Sequence, residues 1–83
     1  MTSEKTLEDT IELMKSEDYK DRLKAELQQT AIRYNKLHRM IIKYEAGMLE
    51  FELTCDIELL KRQEKAMEEY LHCLEVRALI ENI

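Results

Sequence analysis

The sequence predicts an all-α fold: an antiparallel helical hairpin with a short N-terminal helix, oligomerising into a helical bundle. Three observations carry this. The 83 residues include no proline and one glycine, while Glu, Lys, Leu, Met, Ala, Arg and Gln dominate, a composition with high helix propensity and few breakers. Apolar residues recur at steps of three and four along two long segments on either side of that glycine. The second segment carries two apolar stripes, more than one neighbouring helix covers.

Taken in order, residues 1–5 read as a polar, frayed end. Thr6 can cap a short helix in which Leu7, Ile11 and Met14 repeat on one face, with Glu8 and Asp9 favourably placed in its first turn. That phase cannot continue, because it would bring Asp18 onto the apolar face. Ser16-Glu17-Asp18 is itself a good cap and acidic first turn. The expected division is therefore an N-terminal segment over 1–17 and a hairpin over 18–83.

The first long helix is expected over about 18–44. Leu23, Leu27, Thr30, Tyr34, Leu37, Ile41 and Tyr44 form its seam, while Arg22, Arg33, Lys36, Arg39 and Lys43 fall in a basic arc on the opposite side. Gly47 adopts positive φ without strain and stands where the helix needs a terminating residue, so the tip of the hairpin is placed there. Met48, Leu49, Phe51 and Leu53 can fold over the open end of the hairpin. Thr54 can cap the second helix, expected over about 54–82, with Asp56 and Glu58 in its first turn.

In that second helix Ile57, Leu60, Met67, Leu71, Leu74 and Ala78 form an a/d seam interrupted by Glu64, which needs a basic partner on helix one or a neighbouring chain. A second stripe about 100° round holds Leu59, Ala66, Tyr70, Cys73 and Ile80, with Gln63 and Arg77 in the gaps. A chain this short leaves much of its surface wet unless it associates. Leu59, Tyr70, Cys73 and Ile80 are accordingly the expected contacts of a homo-oligomer, a dimer or larger.

Composition also excludes some functions. Cys55 and Cys73, taken on one helix, stand roughly 27 Å apart and cannot pair within a chain. Unpaired thiols, no secretory h-region and no long apolar run point to a reducing cytoplasm and no membrane role. The net charge of −5 disfavours general nucleic-acid affinity, although residues 19–44 hold seven bases against two acids. His38, Cys55, His72 and Cys73 lack the spacing of a zinc half-site, so no metal is expected. No nucleophile with a base, no carboxylate–histidine set and no phosphate loop appears, so no enzyme is expected either.

The series Tyr19-Lys20-Asp21-Arg22-Leu23-Lys24-Ala25-Glu26, then Arg33, Lys36-Leu37 and Ile41, then Phe51, Leu59-Leu60, Gln63, Met67, Tyr70, Leu74 and Arg77, resembles a family of small bacteriophage proteins first annotated from a crAss-like phage. The likeness covers about residues 19–80. These hairpins are similar to the helical hairpin of phage anti-CBASS and anti-Thoeris sponges, which assemble into oligomers and sequester cyclic oligonucleotide or ADP-ribose signals made by host immune enzymes. The resemblance implies a non-enzymatic counter-defence protein in the host cytoplasm, without a cofactor. It implies a homo-oligomer, with a hexamer among the alternatives, that holds a cyclic nucleotide-type ligand.

In the anti-CBASS sponges a lysine in an Arg-(Ile/Leu)-x segment near the start of the first long helix, with an aromatic upstream, holds the ligand. Arg22-Leu23-Lys24 resembles that segment. No aromatic precedes Tyr19, so Tyr19 takes the stacking role from a closer position than the pattern gives. The chemistry is apt, since an anionic dinucleotide needs cations for its phosphates and a flat apolar surface for its bases. Tyr19, Lys20, Arg22 and Lys24 supply both beside a helix N-terminus. The plainer reading of the same residues is a solvated basic face. A structural or adaptor hairpin, whose extra stripe on helix two binds a host or phage protein, is the alternative function and needs no ligand.

Overall fold

The computed structural model describes residues 6–83; the frayed end expected over 1–5 lies outside the described residues. The described residues are helical with no strand. The chain opens on a reciprocal cap: the Asp9 amide donates to Thr6 Oγ1 at 3.4 Å, and the Thr6 amide donates to Asp9 Oδ2 at 2.9 Å. The Asp9 amide also donates to the Thr6 carbonyl at 3.1 Å, so the side chains reinforce a turn that the backbone itself closes. The cap starts a 3-10 turn, Glu8–Thr10, that passes into α1, Ile11–Met14.

The turn between α1 and α2 is closed by polar side chains. Ser16 Oγ accepts from the Asp18 amide at 3.1 Å and donates to Asp21 Oδ2 at 2.7 Å. Asp18 is extended, at φ −81° and ψ 121°, and its Oδ1 accepts from the Lys20 amide at 2.9 Å. That is the geometry of an N-cap, and α2 runs from it over Tyr19–Glu45.

Gly47, at φ +71°, ends α2. Its amide bonds the Tyr44 carbonyl at 3.0 Å, and the Met48 amide reaches back to the Lys43 carbonyl at 2.8 Å. These are the two bonds of a Schellman ending. A Cβ built at Gly47 meets nothing within 4 Å, so the left-handed backbone rather than crowding requires glycine here. In the connection that follows, Leu49 and Leu53 are half-buried whereas Met48 and Phe51 are exposed. Only two of the four apolar residues expected over the end of the hairpin turn inward.

The second cap differs from expectation. Asp56, extended at φ −63° and ψ 134°, caps α3 through Oδ1, which accepts from the Glu58 amide at 3.1 Å. α3 is Ile57–Ile80, so Thr54 and Cys55 belong to the connection. Asp and Thr both suit an N-cap, and the carboxylate that stands immediately before the apolar repeat takes the position. At the far end Asn82 sits at φ +60°, with its amide on the Leu79 carbonyl at 3.2 Å and the Ile83 amide on the Ala78 carbonyl at 2.9 Å. Asparagine here does what glycine does at position 47.

α2 and α3 pack as an antiparallel pair. The start of α2 meets the end of α3 where the Tyr19 hydroxyl bonds Glu81, and the end of α2 meets the start of α3 where Lys61 pairs with Glu45 at 2.9 Å. The seams meet as their spacing requires. Leu23, Thr30, Ile41, Leu74 and Ala78 are buried, and Leu27, Tyr34, Leu37, Ile57, Leu60, Met67 and Leu71 are half-buried. Tyr44 is the exception on α2, at 43% exposed; it is the last residue but one of the helix, where the connection leaves the seam.

α1 packs on α2 alone. Thr10 is fully buried there; its Oγ1 donates to the Leu7 carbonyl at 2.6 Å and accepts from Gln29 Nε2 at 2.9 Å. Ala25, one turn before Gln29 on the same face, is also fully buried. α2 is thus the central element, with α3 on one side and the N-terminal segment on another.

Candidate functional site

The residues marked for ligand binding occupy the first two turns of α2. Lys20 and Lys24, four apart, lie about 40° from each other on one face, and Arg22 lies about 160° from either. Arg22 Nη1 donates to the Ser16 carbonyl at 2.8 Å, so the guanidinium helps close the turn before α2. Both lysines are exposed. The four residues therefore do not converge on one point of a single chain.

Tyr19 lies between these groups, 52% exposed, with its hydroxyl donating to the Glu81 carboxylate just beyond α3. That hydrogen bond, then partial burial, then the negative charges of Glu81 and Asp18 raise the phenol above its ordinary value. The ring is held at a fixed place across the mouth of the hairpin. Its surroundings are mixed in charge, since Asp18, Asp21 and Glu81 stand among the cations.

The residues marked for the oligomer lie on the side of α3 turned away from α2. Leu59, Tyr70, Cys73 and Ile80 are all exposed, Ile80 at 76%. Val76 and Leu79 are exposed as well; the heptad pattern did not select them because they fall outside both stripes. Glu64 has the partner its place in the seam called for, His38 of α2, with Nδ1 at 2.6 Å from Oε2. Among the described residues no group of three or more His, Cys, Asp or Glu side chains could hold a metal, and no helix is long and apolar enough to cross a membrane.

A groove that the sequence did not announce runs between residues 6–8 and α2. It encloses about 620 Å³ and is lined by Leu7 and Glu8 on one wall and by Gln28, Ile32, Asn35, Lys36 and Arg39 on the other. The α2 residues share a face because they recur at steps of three and four. Lys36 and Arg39 were legible as part of a basic arc; their apposition to the N-terminal turn is a tertiary fact.

The fold and these surfaces define a small helical-hairpin protein with exposed cations, an aromatic ring hydrogen-bonded across the hairpin and a lined groove. More particularly, the chain belongs to the Sequestin family, whose model matches residues 17–80. The match takes in α2, the connection and α3, and leaves α1 outside. No curated protein and no solved structure matches the chain.

Proposed function

We propose that this chain is a non-enzymatic phage counter-defence protein that sequesters an anionic nucleotide immune signal, of cyclic oligonucleotide or cyclic ADP-ribose type, inside a homo-oligomer in the host cytoplasm. The observation that carries the reading is the family match over residues 17–80, since the family's name speaks of sequestration. The resemblance of the Arg22-Leu23-Lys24 segment to phage sponges supplies the class of ligand.

Geometry supports a shared site. Lys20 and Lys24 form a short cationic strip that cannot surround a dinucleotide alone, and Arg22 is turned away from it, so the ligand is gripped by two chains. The exposed apolar stripe of Leu59, Tyr70, Cys73 and Ile80 on α3 is the surface through which copies associate. Native mass spectrometry of the protein purified from phage-infected cells tests both parts together. An oligomer carrying a nucleotide-sized mass is expected, and a bare monomer rejects the reading.

The same α3 stripe favours one other reading, an adaptor hairpin that docks on a host or phage protein. A chain that ignores every cyclic nucleotide and co-purifies in fixed stoichiometry with one protein through Tyr70 and Ile80 favours the adaptor.

A further inference from the structure

We infer that a hollow beside the tip of the hairpin binds a linear nucleoside di- or triphosphate. The hollow encloses about 380 Å³, within the usual range of small-molecule sites, roughly 300–1,000 Å³. Its walls come from two places. α2 supplies Lys36, Arg39 and Lys43, and the connection after Gly47 supplies Leu49 and Phe51. The three cations recur at steps of three and four, so they lie within an arc of about 60° and extend roughly 10 Å along the helix. No acid stands between them in α2, and Glu50 is the one acid of the lining. Among the described residues neither Lys36 nor Lys43 has a side-chain hydrogen bond or an ion pair. In a chain of net charge −5, such a row is a local cationic track open to an anion of matching length.

The second observation is an aromatic ring in the same hollow. Leu49 turns inward over the end of the hairpin, but Phe51, two residues on, stays 58% exposed. The ring stands among the cations instead of in the core, with half-buried Met40 and Leu49 as the apolar part of the lining. Cations and an accessible ring side by side suit the two halves of a nucleotide, since the ring stacks on a base while the cations hold phosphates. Cations set in line along one helix face, rather than converging on a point, match an extended chain of phosphates. One ring and about 380 Å³ give room for one nucleotide and not for a partner helix, which is about 10–12 Å across.

This hollow is separate from the start of α2. Lys43 stands nineteen residues after Lys24, roughly 28 Å along the helix, further than a nucleoside diphosphate reaches. The inference therefore goes beyond the sequestration proposed above and stands or falls without it.

Amide NMR of the full chain, titrated separately with ADP, adenosine and pyrophosphate, tests this. ADP is expected to give saturable shifts at Lys36, Met40, Lys43 and Phe51, and each of the two fragments to bind about tenfold more weakly or less. Phe51→Leu, a change at an exposed ring whose effect on helix content is checked by circular dichroism, should bring ADP down to the level of pyrophosphate. Lys43→Ala should weaken ADP and pyrophosphate together, about tenfold. Amides unmoved by millimolar ADP, pyrophosphate bound as tightly as ADP, or an ADP preference that survives Phe51→Leu overturns the inference. Lys24→Ala keeps the two proposals apart. ADP shifts that persist in this variant support the hollow, whatever becomes of cyclic-nucleotide binding, whereas ADP shifts that vanish with Lys24 overturn the hollow and leave sequestration standing.

Discussion

His38 Nδ1 lies 2.6 Å from Glu64 Oε2 across the hairpin, and the imidazole stacks on Tyr34 with ring centroids 5.6 Å apart and planes within 8°. A glutamate in an a/d seam thus reaches a polar partner without leaving the interface. His38 is exposed, with 46% of its side chain accessible against 20% for Glu64, so solvent screens the pair and its net worth is small. Its more evident use is to fix which turn of α2 faces which turn of α3, as a polar residue in an apolar seam does.

Glu64→Leu tests that account. Filling the seam with an aliphatic side chain should stabilise the hairpin by about 1 kcal/mol, since the half-buried Glu64 gives way to packed apolar atoms while His38, 46% accessible, keeps water as its partner. The midpoint of urea unfolding should rise. A fall of more than about 1 kcal/mol would mean that the pair contributes stability and not only register.

Both seams were legible because a heptad pattern states in advance which residues meet, and each residue it placed from Ile57 to Ala78 is buried or half-buried. The stop at Gly47 was legible for a local reason, positive φ. The cap of α3 was not, because Thr54 and Asp56 are both competent and only the observed start of the helix decides between them. Docking of α1 was illegible for a further reason. It rests on Thr10, a polar residue with no signature of burial, and on a glutamine nineteen positions away. Tyr19, Lys20, Arg22 and Lys24 stand out in the sequence by type and by resemblance as candidates for a ligand, whereas the bond from Arg22 to the Ser16 carbonyl depends on a turn whose path the sequence does not state.

Thr10→Val should loosen the N-terminal segment while sparing the hairpin. The valine keeps the volume but leaves Gln29 Nε2 without its Thr10 acceptor, and an amide so abandoned costs about 1 kcal/mol. Hydrogen exchange at the Lys15 amide, which bonds the Ile11 carbonyl, should quicken several-fold, with α3 amides unchanged. Equal acceleration throughout the chain would show that the segment and the hairpin unfold as one unit.

Stability should decline in alkali. Lys61 is raised above its ordinary value, first by its hydrogen bond to Glu45. Tyr19 is raised first by its bond to Glu81, and Tyr34 first by burial. In all three the folded chain holds the proton more tightly than the unfolded chain. Their contribution is therefore complete below about pH 10 and is lost as pH rises through the raised folded values. Thermal unfolding followed from pH 8 to 11 should show Tm falling above about pH 10, less steeply in Tyr19→Phe. A flat profile would contradict these assignments.

Tyr70→Glu combined with Ile80→Asp places two charges on the exposed stripe of α3. Both residues are exposed, so helix content should stay constant while the proposed oligomer dissociates; sedimentation velocity at micromolar concentration reads the mass directly. An assembly that survives both charges would mean that copies associate through another surface, with the exposed Ile42 and Tyr44 of α2 the next to test.

Lys24→Ala separates the sequestering function from the adaptor function. Lys24 is exposed and off the seam, so its loss should leave the fold intact and, on the proposed sequestration, remove one charge-assisted phosphate contact, worth about 1.5–3 kcal/mol or roughly 10- to 150-fold in affinity. Tyr19→Ala should weaken binding comparably by removing a stacking ring, and Tyr19→Phe, which keeps the ring and frees Glu81, should not. Arg22→Ala is different in kind. Its Nη1 serves the Ser16 carbonyl, so the change should loosen the turn before α2 more than it weakens the ligand. Calorimetric titration of the protein with each cyclic nucleotide checks the set. Affinity unchanged in both Lys24→Ala and Tyr19→Ala would move the phosphate site away from the start of α2, whereas loss in Tyr19→Ala but not in Tyr19→Phe would place the ligand's base against the ring held by Glu81.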